Sequence, residues 1–224
     1  MEANSHKTVL ITGTSRGIGK AIYEALIETS HYTILAPTRQ EMNLDNVASI
    51  ERYLRNIPGV DILINNAGIN ILKAVGEIEE DSLRQMTSVN LEAPLRIIRH
   101  VVPHMKSQRY GHIVNISSIW GIRSKELRVL YSMTKFGLNG LTKALAHELG
   151  PYNILVNSVC PGYVNTELTR KNISQQELEI IKGTIPLGRL AEPQEIAAFI
   201  KFLISSENTY ITGQLLTIDG GFLA

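Results

Sequence analysis

A single cysteine, Cys160, stands in 224 residues, so the chain can close no internal disulfide and offers no cysteine cluster to a metal. It has no stretch near the ~18 apolar residues of a membrane-spanning helix. Its opening, MEANSHKTVLITG, lacks a basic segment followed by a signal-like apolar run. It has no excess of charge. The 22 basic and 21 acidic side chains leave a formal net charge of +1, which gives no electrostatic ground for a nucleic acid or an anionic membrane as partner. Linkers, repeats and low-complexity segments are also missing, so residues 1–224 read as one domain. The expectation is a soluble, cytoplasmic protein with no metal, nucleic acid or membrane among its partners.

What is present is apolar and ordered. Hydrophobic residues make up 44% of the chain, enough for a substantial core. Short runs rich in Val, Ile and Leu recur at 8–13, 32–37, 60–68, 111–118, 154–162 and 213–221, each closing on Gly, Pro, Asn or Ser. Near-continuous apolar runs suit strands buried on both faces, as in a parallel sheet. Helical patterns separate them at Gly17 to Thr29, Asp45 to Asn56, Asp81 to Gln108, Val129 to Leu149 and Glu192 to Ser205, with Asp45-Asn46 as a capping signal. Strands alternating with helices predict a doubly wound α/β sheet.

Two constellations carry chemistry. In TVLITGTSRGIGKAIYEAL a strand runs through Gly13, Gly17 and Gly19 into a helix. Glycine allows the sharp turn and lets backbone approach a pyrophosphate seated at the helix N-terminus. In YSMTKFGLNGLTKALAHEL, Tyr131 and Lys135 are four apart and share a helix face. A tyrosine normally keeps its proton to pH ~10, and a cation one turn away favours the phenolate. The pair is then an acid/base unit for a carbonyl or an alcohol. Ser117 and Ser118 end the strand VNISS at the sheet edge where such folds bind ligands, and SVNLEAP places Asn90 in the long helix.

Taken in order, TGTSRGIG (12–19), NNAG (65–68), Asn90, Ser118, YSMTK (131–135), PGYVNT (161–166) and IDGG (218–221) resemble the short-chain dehydrogenase/reductase family in its single-domain branch, and most of all the 3-oxoacyl-carrier-protein reductases. The resemblance covers nearly the whole chain. It implies a Rossmann-type sheet and an oxidoreductase that interconverts a ketone and a secondary alcohol with NAD(P)(H). Tyr131 would be the acid/base. Lys135 would depress its pKa and bind the nicotinamide ribose. Ser118 would hydrogen-bond the substrate oxygen, and Asn90 would hold a water behind Lys135. The resemblance further implies a dinucleotide lying on Gly13, Ser15, Arg16, Gly17, Ile18 and Gly19, then on Asn66, Ala67 and Gly68. It would also touch Tyr131 and Lys135, and then Pro161, Gly162, Val164 and Thr166 near the carboxamide. Ser117 would be structural. Cys160 reads as a buried small hydrophobe. Trp120 suits a pocket wall and plain packing equally. His104, His112 and His147 have no metal-ligand spacing.

The acidic residue that would meet the ribose 2′-OH of NAD is missing from Ala36, Pro37, Thr38 and Arg39. Arg39 and Arg16 offer forks suited to a 2′-phosphate, so NADP(H) is favoured. Six residues, Arg39 to Leu44, separate Thr38 from Asp45. That is too few for a crossover helix, which needs at least ~10–12 residues. The family's third strand and the helix before it are therefore expected to be lost or vestigial, with Asn43 and Leu44 at the adenine. The segment 165–190 is expected to form a lid, and Arg123, Lys125 and Arg128 a solvated rim. The long helices resemble those that pair in the family's dimers and tetramers, so a homo-oligomer acting on a small carbonyl or alcohol is expected. A non-catalytic dinucleotide sensor would not need Ser118, Asn90, Tyr131 and Lys135 together. An epimerase or dehydratase fits neither the glycine spacing nor the lack of a long C-terminal substrate region.

Overall fold

The computed structural model describes residues 6–29 and 31–224. The start of the segment read above for targeting, residues 1–5, lies outside them. The six apolar runs form the six strands β1 (Lys7–Ile11), β2 (Tyr32–Leu35), β3 (Ile62–Asn65), β4 (Gly111–Ile116), β5 (Ile154–Pro161) and β6 (Leu215–Ile218). They make one parallel sheet in the order β2-β1-β3-β4-β5-β6. Side chains alternate between the faces. Val9 and Ile11 of β1, with Ile62 and Ile64 of β3, pack under α1 (Gly17–Ile27) and α8 (Pro193–Leu203). Leu10, Leu63, Ile113 and Val156 point the other way, under α2 (Val47–Leu54), α4 (Ala93–Gln108) and α5 (Val129–Leu149). Apolar residues on both faces follow from helices covering both.

β1 lies between β2 and β3, so the chain leaves β1 to opposite sides in succession. That reversal opens a crevice at the carboxyl ends of β1 and β3, the place where open α/β sheets take ligands. On the outer side β2 is the edge strand among the described residues. From Ala36 to Asn46 the chain makes turns without a helix. The Asn46 side chain accepts from Ser49 N at 2.9 Å and caps α2.

The long helical stretch begins with α3 (Glu80–Thr87), passes through a π-helical turn at Ser88–Glu92 and continues as α4. Pro94 accounts for the wide turn. It lacks the N–H that a regular helix would direct at the Asn90 carbonyl. Two further helices, α6 (Glu167–Asn172) and α7 (Gln175–Thr184), follow β5. Ile173, Ile181 and Ile185 pack with Trp120 and Tyr163. No helix among the described residues is long and apolar enough to cross a membrane.

Candidate active site

A cleft of about 290 Å³ runs along the carboxyl edge of the sheet. Its first wall is the β1–α1 turn, with Gly13, Ser15, Arg16, Gly17, Ile18 and Gly19 all lining it. Gly13 has φ +73°, and a side chain on it would lie 2.8 Å from the Ala67 Cα. A Cβ on Gly19 would run into the Gly13 carbonyl and the Asn66 amide. The turn is closed by side chains. Asn66 Nδ2 donates to the carbonyls of Thr12 and Gly13, each at 2.9 Å. The Thr12 hydroxyl accepts from the N–H groups of Asn66 and Ala67 at 3.0 Å. Asn66 thus fastens the glycine turn to the loop after β3, which brings Asn66, Ala67 and Gly68 into the same cleft.

The opposite wall carries the reactive groups. Ser118 follows β4, Tyr131 and Lys135 come from α5, and Pro161, Gly162, Val164 and Thr166 follow β5. Beneath them a buried polar chain joins the strands to α5. Asn65 Nδ2 donates to Asn115 Oδ1 at 2.9 Å, and Asn115 Nδ2 donates to Thr142 Oγ1 at 2.9 Å. Thr142 Oγ1 meets Ser158 Oγ at 2.8 Å. Ser117 Oγ donates to the Lys135 carbonyl at 3.3 Å, and Ser117 also lines the cleft. Cys160 is buried, with its thiol pKa pushed up by burial.

Ser118 Oγ accepts from Trp120 N at 3.2 Å, which leaves its own hydrogen available to donate. Lys135 Nζ donates to the Ile116 carbonyl at 2.7 Å and sits 5.5 Å from the centre of the Tyr131 ring. Burial lowers the Lys135 pKa to about 8, so the ammonium persists at neutral pH. Tyr131 departs from expectation. Burial raises its pKa, and the groups that pull it back are the nearby Ser118 hydroxyl and the charge of Arg128. Lys135 directs its ammonium at Ile116 O, and loss of hydration around the phenol is the largest influence on Tyr131.

Asn90 is 1% exposed and does not line the cleft. Its Oδ1 accepts from Ile69 N at 2.9 Å, and its Nδ2 donates to Ile69 O at 2.9 Å and to Thr134 Oγ1 at 3.2 Å. These contacts hold the 66–70 loop against α5, with Gly68 between Asn90 and Lys135.

A second chamber of about 390 Å³ shares Gly13, Ser15, Ala67 and Gly68 with the first and extends to Arg39, Asn43 and Leu44. The two arginines part company here. Arg39 is exposed and lines this outer chamber. Arg16 lines the inner cleft, where its guanidinium pairs with Glu167 at 3.4 Å. Glu41 is turned back on its own loop, accepting from Thr38 N at 2.8 Å and Thr38 Oγ1 at 2.9 Å, and does not line the chamber.

Sequence reasoning overlooked residues that only the fold brings in. Glu167, Leu168 and Thr169 of α6 reach the inner cleft, and Asn70 and Tyr163 line a smaller recess beside Tyr131. Trp120 both packs and lines that recess, making edge contacts with Tyr163 at 6.1 Å and Phe222 at 6.2 Å. Arg123 and Lys125 are exposed as expected of a rim, but Arg128 is only 5% exposed. The polar run around it suggested solvent, yet its guanidinium lies over the Trp120 ring at 5.5 Å. Of the histidines, His112 is buried on β4 and held neutral, its pKa lowered to about 4 by burial. The described residues contain no metal-ligand cluster.

The sequence profile of a family described as enoyl-(acyl carrier protein) reductase matches residues 39–223. The 3-oxoacyl-[acyl-carrier-protein] reductase FabG of Aquifex aeolicus is 37% identical, with 96% of each chain covered. Among solved structures, one provisionally described as an NAD(P)-dependent gluconate 5-dehydrogenase of Beutenbergia cavernae, with NADP at low occupancy, superposes with a TM-score of 0.92. It is 28% identical, covering 97% of this chain and 96% of that one. A 4-hydroxyisoleucine dehydrogenase mutant in complex with NADH and succinate superposes with a TM-score of 0.91 at 32% identity, covering 96% of this chain and 98% of that one.

Proposed function

This chain belongs to the short-chain dehydrogenase/reductase family of nicotinamide-dependent oxidoreductases, and from that premise we propose that it interconverts a ketone and a secondary alcohol with Tyr131 as acid/base. The observation that carries this is the convergence of Ser118, Tyr131 and Lys135 on one cleft whose other wall is the glycine turn. The cradle around Gly13 and Gly19, too tight for a side chain, fits a group that needs close backbone approach. The nicotinamide supplies the hydride chemistry when bound.

The chain's own residues handle the proton and the developing charge. Tyr131, its pKa raised by burial, holds a proton at neutral pH and gives it to the ketone oxygen during reduction. Ser118, oriented by the Trp120 N–H, donates its hydrogen to the same oxygen and offsets charge forming there. Lys135, a cation anchored on Ile116 O, favours proton movement through Tyr131 and offers a donor to the ribose. Alcohol oxidation needs the phenolate, so that direction accelerates as pH rises toward the Tyr131 pKa.

NADP(H) is the favoured carrier. Arg39 lines the outer chamber without an acidic neighbour in it, and Glu41 is engaged by Thr38. Arg16, paired with Glu167, adds less than its sequence position suggested. We read the short Ala36–Asn46 connection as a trimmed sheet edge relative to the family pattern, and the chain as one catalytic domain acting in the cytoplasm. Val129, Met133 and Phe136 are exposed along α5, with Leu95 on α4, an apolar surface suited to pairing in a homo-oligomer. The test is turnover of a panel of small ketones with NADPH and NADH, in wild type and Ser118→Ala. A loss of about 10²-fold or more in kcat with retained dinucleotide binding supports the reading. Full activity of Ser118→Ala contradicts it.

A further inference from the structure

Arg128 has the features of a ligand anchor rather than of a rim charge. It is 5% exposed, and its Nε is buried with no hydrogen-bond partner. No salt bridge among the described residues includes it. The guanidinium carbon lies 5.5 Å from the centre of the Trp120 ring, a cation–π contact that uses none of its N–H donors. Burial disfavours this charge, and with Nε unpartnered the cost is one that an incoming anion would offset. Tyr131 and Tyr163 are not that anion, because burial raises both pKa values and keeps the phenols neutral.

The recess that Arg128 lines, of about 80 Å³, also holds Ser118, Tyr131, Asn70 and Thr169, and no carboxylate. The Asn70 Oδ1 is a second buried atom without a partner. The backbone also marks the spot. Leu127, next to Arg128, has φ +61°, a conformation strained for a bulky side chain, and α5 opens with no acidic residue in its first turn. Arg128 is the N-cap of α5 and Tyr131 lies in its first turn, and both line the recess.

We propose that Arg128 is a specificity-determining residue that receives the carboxylate of a small oxo- or hydroxy-acid while Tyr131 and Ser118 engage its ketone or alcohol oxygen. This rests on the oxidoreductase reading above and narrows its substrate class. The planar fork of Arg128 matches a carboxylate, and the small recess favours a short acid over a phosphorylated sugar or a long acyl chain. Because Arg128, Tyr131 and Ser118 line one recess of about 80 Å³, the carboxylate and the reacting oxygen would belong to one small molecule.

The experiment compares pyruvate, acetoacetate and levulinate with their methyl esters as substrates for the full chain with NADPH and NADH. It uses wild type and Arg128→Met, a near-isosteric change that removes the charge without opening a large cavity. In wild type the kcat/KM of at least one acid is expected to exceed that of its ester about tenfold or more. Arg128→Met is expected to lower that acid about 10²-fold and its ester less than threefold. Calorimetry of levulinate and methyl levulinate on the NADP-loaded protein reads the anion site without turnover. Saturable binding of the acid that Arg128→Met abolishes supports the proposal. Three results overturn it: esters matching acids throughout in wild type, equal losses on acid and ester in Arg128→Met, or no binding of levulinate by wild type. Retained acid binding with no turnover of any ketone would instead defeat the oxidoreductase reading and leave Arg128 as an anion site.

Discussion

Replacing Asn90 with alanine is expected to loosen the loop that joins the two halves of the cleft. The substitution removes the two-way contact with the Ile69 backbone, 2.9 Å in each direction, and the 3.2 Å contact with Thr134. Each hydrogen bond contributes about 1 kcal/mol net, and a buried group left without a partner costs about 1–3 kcal/mol. Ile69 is half-buried, so water relieves part of that penalty. The position itself is 1% exposed, so a small cavity adds to the loss. The sum is a destabilisation of about 3 kcal/mol, read as a lower urea midpoint at unchanged slope. Hydrogen exchange should locate the damage, with the Ile69 amide losing protection beyond the global change. Asn90→Asp should be no milder, since the buried carboxylate still accepts from Ile69 N but faces the Ile69 carbonyl without a donor. A loss below about 0.5 kcal/mol, with Ile69 protected as in wild type, would refute the assignment of Asn90 as the loop's anchor.

Gly19→Ala forces a methyl group against the Gly13 carbonyl and the Asn66 amide, and should cost about 2–4 kcal/mol together with dinucleotide affinity; wild-type values of both in urea unfolding and fluorescence titration would contradict the packing described. Arg39→Ala should weaken NADPH about tenfold and NADH less than twofold, because the side chain is exposed at the outer chamber; equal losses in paired titrations would remove it from 2′-phosphate recognition. His112, its pKa lowered from 6.5 to about 4, is bound by a proton more readily in the unfolded chain. Stability should therefore be complete above pH 6.5 and fall as the pH drops toward about 4, by roughly 2–3 kcal/mol at most, and His112→Leu should flatten that slope; an unchanged slope in the variant would count against it.

The sheet was legible because its central strands carry apolar residues on both faces. Val9, Leu10 and Ile11 are consecutive, apolar and fully buried, and the helices between the strands begin at recognisable signals such as Asn46. The reactive groups were legible because their chemistry is local to short motifs. What the sequence concealed depends on direction and on distant neighbours. The polar run before Tyr131 reads as solvated, but the turn at Leu127 folds Arg128 inward onto Trp120. Lys135 sits one turn from Tyr131 as its spacing says, yet its ammonium points at Ile116 O, and burial sets the Tyr131 pKa. Arg16 was read with Arg39 as a phosphate fork, but its partner is Glu167, 151 positions away. Asn90 lies within the long helical stretch as its sequence suggests, but in a π turn that the spacing does not reveal.

Tyr131→Phe tests the central claim most directly, because it removes one hydroxyl and little volume. Turnover and NADPH affinity should be measured on the same preparation with a ketone that wild type reduces. The expected result is a loss of kcat of about 10³-fold or more with a Kd for NADPH within about threefold of wild type. Turnover near the wild-type rate, or a loss explained entirely by failure to bind the dinucleotide, would contradict the assignment of Tyr131 as the acid/base.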